Sequence, residues 1–534
     1  MSNLADAAER GANKAPPAGH HPPSHPGGGA GHVHHFKYGF VHVGQAGDAE
    51  DLDDDTPTDD PGLLHARQLR ARELRDLRLR DKHADRRFLF RRPRALQYFR
   101  RSTLIRGNEE RSSARTELFF DLIFVGLVAV LSQQVTKKPT GASLVRYILT
   151  YLPIYVIWGY MREIFNNYYL DDVYQRLLVL FVMCGLVVYG NNAGEVQERL
   201  SEGYGRATTV STYLVLAVVL HGTMLIYTMF AWQFAPTVRA HFLLWLPAMG
   251  LYIGSIFAPL RVAIALVAVA IGWEFGAFYY AYSGYFKRHL KLVYSTATSV
   301  DHTAERYMDF VTLVHGEFLY GIIAEHPGIL VGGKERPGMH GSTGRAILLV
   351  VVAFGLFMTY VNGTGSRRIV HPLRRSTWTA MGFFTFHTPW VCAVTLCGDV
   401  AVELVKENVI EEEEHPDRAT AYRWLFAGTY AVAVYSMTAV QLCERDNDPP
   451  GSLWVTPRIL RLLPRLACAL IVALLPLASQ EQLGSTGLLA IPAALSMATG
   501  IWELVASLDG PQSEVYTEQQ HKWAGYPKFV EPFS

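Results

Sequence analysis

Two carboxylates stand at the start of an apolar run, RTELFFDLIFVGLVAVL (residues 115–131). Glu117 and Asp121 are four residues apart, so on a helix they project from one face. At the centre of a membrane helix a carboxylate costs about 2.5–3.5 kcal/mol, so such residues face a partner or a water-filled cavity rather than lipid. Glu117 can gain from the helix dipole and from interfacial water. Asp121, flanked by Phe119, Phe120, Leu122 and Phe124, needs burial against another helix. A second run, HTAERYMDFVTLVHGEF (302–318), opens with the same layout, Glu305-x-Tyr-x-Asp309 against Glu117-x-Phe-x-Asp121. At about 100° per residue, His302, Arg306, Asp309 and Glu317 share one face, Glu305 lies beside it and His315 points away. Such a one-sided stripe predicts contact between Asp121 and the Arg306/Asp309 face, with Glu117 nearer the water.

The elements that position these residues are membrane helices. The chain has 534 residues, 50% hydrophobic and 18% charged, with net charge +1. Most of the charge precedes residue 116, and apolar runs of spanning length follow almost to the C-terminus. A helix needs about 20 apolar residues to cross the hydrocarbon core. About twelve such runs are predicted, near 117–136, 146–165, 175–193, 209–232, 241–258, 260–282, 307–325, 345–363, 381–405, 420–443, 459–478 and 485–507. The fold class is an all-α integral membrane protein. Membrane insertion is expected to begin at an internal helix, since the first apolar run starts beyond residue 115. The five cysteines fall in or at the ends of predicted spans and form no Cys-x-x-Cys pair.

Before the spans, residues 1–62 read as a disordered tail, His-rich and then acidic. Residues 63–110 are a basic segment whose first part, 63–92, has the composition of an amphipathic helix ended by Pro93. Residues 509–534 read as a second tail. The basic block beside the first span places the N-terminus in the cytosol, and an even count of spans places the C-terminus there too. The sequon Asn362-Gly363-Thr364 would then lie on the cytosolic side, unused.

Four motifs carry a family resemblance. ELFFDLIFV (117–125) looks like the ELFFDLVFV signature of the low-temperature requirement A (LtrA) family of multi-pass membrane proteins. HTAERYMDF…GE resembles its His-x-x-Glu-Arg-Phe-Gly-Leu-Phe…Gly-Glu segment. YYLDDVYQRLL (168–178) is similar to its Arg-Phe-Asp-Thr-Asp-Asp-x-x-His-Arg-Leu stretch, with Asp171, Asp172 and Arg176 on matching positions. FFTFHTPWV (383–391) resembles its His-Leu-Pro-Leu-Val, matching His387 and Pro389. The likeness covers roughly residues 111–508. It departs at Asn167-Tyr168-Tyr169, where the family has Arg-Phe-Asp, and at Tyr360-Val361-Asn362, where it has Tyr-Phe-Asp. The family name describes a growth phenotype and supplies no activity.

The matching starts of the first and seventh spans divide the membrane domain into two parallel six-helix halves, about 111–295 and 296–508, a layout found in secondary transporters. The functional expectation is an ion- or proton-coupled transporter or channel. Its polar path is Glu117, Asp121, Asp171, Asp172, Arg176, His302, Glu305, Arg306, Asp309, Glu317 and His387, with Glu274, His221 and the pair Asp399/Glu403 as further candidates. Two other readings stand beside it. In a structural scaffold these charges only pair helices. In an intramembrane metal-dependent hydrolase His221, His302 and His387 would hold zinc. The preferred reading requires no cofactor, metal or nucleic acid; the chain's surroundings are the lipid bilayer and its ligand a small solute or ion.

Overall fold

The computed structural model describes residues 33–36, 39–44, 89–101, 103–106, 114–198, 200–324, 330–331, 334–335, 341–406 and 416–511. The tails at 1–32 and 512–534, the basic stretch at 63–88 and the acidic loop at 407–415 lie outside the described residues.

Among the described residues twelve long helices make up the body: α1 (Arg115–Lys137), α2 (Gly141–Tyr168), α3 (Val173–Ala193), α4 (Gly205–Thr228), α5 (Ala235–Phe257), α6 (Leu260–Tyr282), α7 (Val300–Ala324), α8 (Gly341–Val361), α9 (Thr377–Lys406), α10 (Pro416–Leu442), α11 (Arg458–Leu474) and α12 (Ser485–Ala506). Among the described residues, eleven are long and apolar enough to cross a membrane. The remaining one, α7, matches them in length, but its composition is lowered by Asp301, His302, Glu305, Arg306, Asp309 and Glu317. Of these six residues only His302 and Arg306 are buried, while Leu319, Tyr320 and Ile323 near its far end are exposed. Several helices begin four to seven residues before the apolar runs predicted from sequence, because polar first turns extend each helix beyond its hydrophobic stretch. The Thr140 hydroxyl accepts the Ser143 amide at 3.2 Å to start α2, and Asp172 accepts that of Gln175 at 2.8 Å to start α3.

The neighbours repeat. In the first half α1 packs on α2 and α3, α3 on α4, α4 on α5, α5 on α6, and α6 returns to α2. In the second half α7 packs on α8 and α9, α9 on α10, α10 on α11, α11 on α12, and α12 returns to α8. Adding six to each helix number carries these pairs onto one another, while the packing of α2 on α4 and of α8 on α9 has no comparable counterpart among the described residues. The halves meet where α1 and α2 contact α7 and α9. Within the second half, α9 approaches α7 closely at Gly398, where a Cβ would come within 2.7 Å of the Phe318 ring.

Short polar structure closes one end of the bundle. Strands β1 (Gln97–Arg100) and β2 (Thr103–Arg106) form a hairpin, and β1 also pairs antiparallel with β3 (Tyr294–Thr296), just before α7. The hairpin lies within the basic segment 63–110, where QYFR and TLIR supply the aromatic and β-branched residues that favour strands. Leu96 and Arg91 in the same segment bond to Asn167 and Asp172, so the α2–α3 corner lies at this end too. Ile369–Val370 pairs with Arg445–Asp446, and Leu453 bridges to Asp509 after α12. The start of α1 and the end of α12 therefore lie on the same side of the bundle. Tags fused at residues 1 and 534 should show the same protease accessibility in sealed cells. One cleaved and one protected would contradict this helix arrangement.

Candidate functional site

Where the halves meet, four ionisable side chains form one buried cluster. Arg306 of α7 bonds Glu117 Oε2 at 3.0 Å through one terminal nitrogen and Asp121 Oδ1 at 2.6 Å through the other. His302 Nε2 lies 2.9 Å from Glu117 Oε2. The indole of Trp158 on α2 donates to Asp121 Oδ1 at 2.8 Å. Glu117, Asp121, His302 and Arg306 are each at most 1% exposed. The guanidinium also lies against the faces of Trp158 and Phe165, 5.5 and 5.3 Å from their centroids, a placement that suits a planar cation.

The predicted meeting of Asp121 with Arg306 is present; the placement of Glu117 near water is not. Glu117 is buried because the i, i+4 spacing that aligns it with Asp121 also aligns it with the His302–Arg306 pair on α7. The stripe on α7 divides: His302 and Arg306 enter the cluster, Asp309 and Glu317 are half-buried, and Glu305 is exposed. His315, expected to point away, is buried against Phe357 and Trp390. Asp171, Asp172 and Arg176 lie at the α2–α3 corner. Asp171 takes the left-handed region (φ 47°) and pairs with Arg176 on the surface at 2.9 Å, while Asp172 caps α3. These three shape a corner and are not in the buried cluster. His387 packs on Tyr307, 4.3 Å between centroids, and its Nε2 accepts from the Tyr360 hydroxyl at 2.8 Å. Asp399 contacts Ser132 towards the opposite end of α1, and Glu403 pairs with Lys406.

Three buried histidines, His221, His315 and His387, place Nδ1 within 2.7–2.9 Å of the backbone carbonyl one turn earlier. A carbonyl only accepts, so Nδ1 carries the proton and Nε2 is left as the acceptor of the neutral ring. His221, His302 and His387 occupy three different environments, and among the described residues no group of three or more His, Cys, Asp or Glu side chains is placed to hold a metal ion.

Two features escaped the reading of isolated spans. The C-terminal half of α2, YMREIFNNY, is polar and buried: Arg162 donates to the Tyr307 hydroxyl at 2.7 Å and to Glu163 at 3.3 Å, and Asn167 donates to Glu163 at 3.2 Å. The adjacent Arg-Glu inside a predicted span was its visible signal. The second is an arginine pair at the start of α11. Arg461 bonds Asp446 and the Thr364 carbonyl, and Arg465 bonds Glu503 of α12 and Gln441 of α10. Thr364 also gives its hydroxyl to Asp446, so the sequon threonine is buried and committed.

The family model for the bacterial low temperature requirement A protein (LtrA) matches residues 112–501. The chain belongs to the LtrA family. No curated protein and no solved structure matches it. All four sequence motifs lie inside the matched range, and the LtrA domain holds every charged group of the buried cluster.

Outside the spans, Glu444 follows α10, and burial pushes its carboxyl up to about 7, with Arg458 opposing the shift and Asp446 adding to it. Its raised value means that the folded protein holds a proton there which the unfolded chain, with an ordinary value of 4.5, has released. The favourable contribution is therefore complete below pH 4.5 and lost as pH rises through 7. Discounted for partial solvent screening, it amounts to about 1–2 kcal/mol. Glu444→Gln should flatten the fall in thermal stability between pH 5 and pH 8; an unchanged fall would contradict the burial of this carboxyl.

Proposed function

We propose that the protein is a proton-coupled transporter of a small solute or ion, with Glu117, Asp121, His302 and Arg306 as the coupling site. One observation carries the reading: two buried carboxylates face a single guanidinium, with an imidazole in hydrogen-bond contact. With a neutral imidazole the formal charge of these four groups sums to one negative, and one added proton brings it to zero. Isolated charge is costly in a low-dielectric interior, so the cluster has a reason to take up a proton. Chains of Asp, Glu and His inside membranes serve as proton relays, and transporters place such sites between their repeats. The cluster is closed on all sides here, so transport requires α1 and α7 to part and expose it in turn to each side.

The sided distribution of basic residues supports the orientation. Lys287, Arg288, Lys291, Arg367, Arg368, Arg374 and Arg375 flank helix ends on the side where α1 begins. The positive-inside rule assigns that side, and both termini, to the cytosol. The tight enclosure of the ion pairs also favours a second reading, a scaffold in which the charges only join helices. The two differ in proton movement.

Purified protein in liposomes should carry an imposed proton gradient into movement of one solute from a screen of inorganic ions, organic acids and amino acids. Asp121→Asn should lower that coupled flux at least about tenfold, while Arg176→Gln, a surface change, leaves it intact. Equal flux in Asp121→Asn and wild type, at equal insertion, would overturn the coupling site. Gradient-independent behaviour across the whole screen would favour the scaffold.

A further inference from the structure

A second buried carboxylate lies in the interior of the first half. Glu274 of α6 is 1% exposed. Its Oε1 accepts from the Tyr160 hydroxyl on α2 at 2.6 Å, from Tyr213 on α4 at 2.5 Å and from the Trp245 indole on α5 at 2.8 Å. Its Oε2 accepts from Tyr213 at 2.6 Å and from Tyr252 on α5 at 3.2 Å. Every donor is neutral, and no lysine or arginine contacts the carboxylate among the described residues.

The second half places its counterpart on α12. Glu503, like Glu274, sits on the sixth helix of its half. Its partner Arg465 comes from the fifth helix and is bonded in turn to Gln441 on the fourth and to the Thr359 carbonyl on the second at 3.0 Å. The same four helix positions thus surround both glutamates, but the second-half residue has a fixed cation and Glu274 has none.

Beside Glu274 lies the kind of group that supplies charge reversibly. His221 stacks on Trp245 at 4.8 Å between centroids and meets the Tyr160 ring at 4.6 Å; His241 is 5.0 Å from His221. Both are at most 1% exposed, and Nε2 of each is buried without a hydrogen-bond partner. His241 is two turns inside the start of α5, the end of the bundle that bears the strands, so the two rings lead from that end towards Glu274.

We propose that Glu274 is a proton-binding site in the core of the first half, reached through His241 and His221. A proton taken up on His221 Nε2 reaches the Tyr160 oxygen when the two side chains close to hydrogen-bond distance, as that hydroxyl gives its own proton to Glu274 Oε1. Tyr160 and His221 end neutral, and Glu274 ends as the neutral acid. The titratable groups facing the site are Tyr160 from α2, Tyr213 and His221 from α4, Tyr252 and His241 from α5, and Tyr282 further along α6; Arg162 and Glu163 of α2 lie beyond Tyr282.

The test is pH-difference infrared spectroscopy of the purified full-length protein in lipid nanodiscs. Wild type should develop the carbonyl band of a protonated carboxyl as pH falls. Glu274→Gln should lose it and Asp121→Asn should keep it. Tyr160→Phe, which retains the carboxylate and guards against a folding failure of Glu274→Gln, should change the band frequency through loss of one hydrogen bond. His221→Phe and His241→Phe should slow its appearance after a pH jump at least about tenfold. Identical spectra for Glu274→Gln and wild type, an unmoved band in Tyr160→Phe, or wild-type rates in both histidine variants would overturn the proposal.

Discussion

One guanidinium joins the two halves of this membrane domain. Arg306 reaches from α7 to both carboxylates of α1, and the three charges, with His302, are sealed from water and lipid alike. Desolvating such ions costs several kcal/mol each, which the short bonds from both terminal nitrogens of Arg306 offset, although its Nε is buried without a partner. The arrangement therefore fixes the rotation and register of α1 against α7. Trp158 adds the remaining bond to Asp121.

Helix α2 stands between two polar centres. Trp158 and Tyr160 are two residues apart, about 200° around the helix, so they face opposite ways. Trp158 bonds Asp121 in the cluster between the halves, and Tyr160 bonds Glu274 inside the first half. A small rotation of α2 would alter both contacts together. Pro153, one turn before this pair, removes a backbone hydrogen bond from α2 at the place where such a movement would hinge.

Much of this was legible in the sequence, for physical reasons. Spanning length fixes helix count, and the i, i+4 spacing of Glu117 and Asp121 forced both to one face. Exposure was harder to read, because it depends on which helix comes to lie opposite. Glu117 looked interfacial on its own helix and is enclosed by a residue 189 positions away. Asp171, Asp172 and Arg176 carried family-matching types, yet their neighbours on a tight corner turned them to capping and surface pairing. The arginines of α11 were hidden by a different rule: a basic first turn reads as a flanking anchor, and only the packed α8, α10 and α12 reveal that Arg461 and Arg465 point inward.

The account rests on Asp121 and Arg306 being partners across the halves, and a double-mutant cycle on the thermal or denaturant stability of the purified protein measures that directly. Arg306→Gln alone should cost about 3–5 kcal/mol, since it strands two buried carboxylates. Adding Asp121→Asn should recover part of that loss, giving a coupling energy above about 1 kcal/mol. Strictly additive losses would mean that the two side chains do not meet, and the joint between α1 and α7 would have to be sought elsewhere.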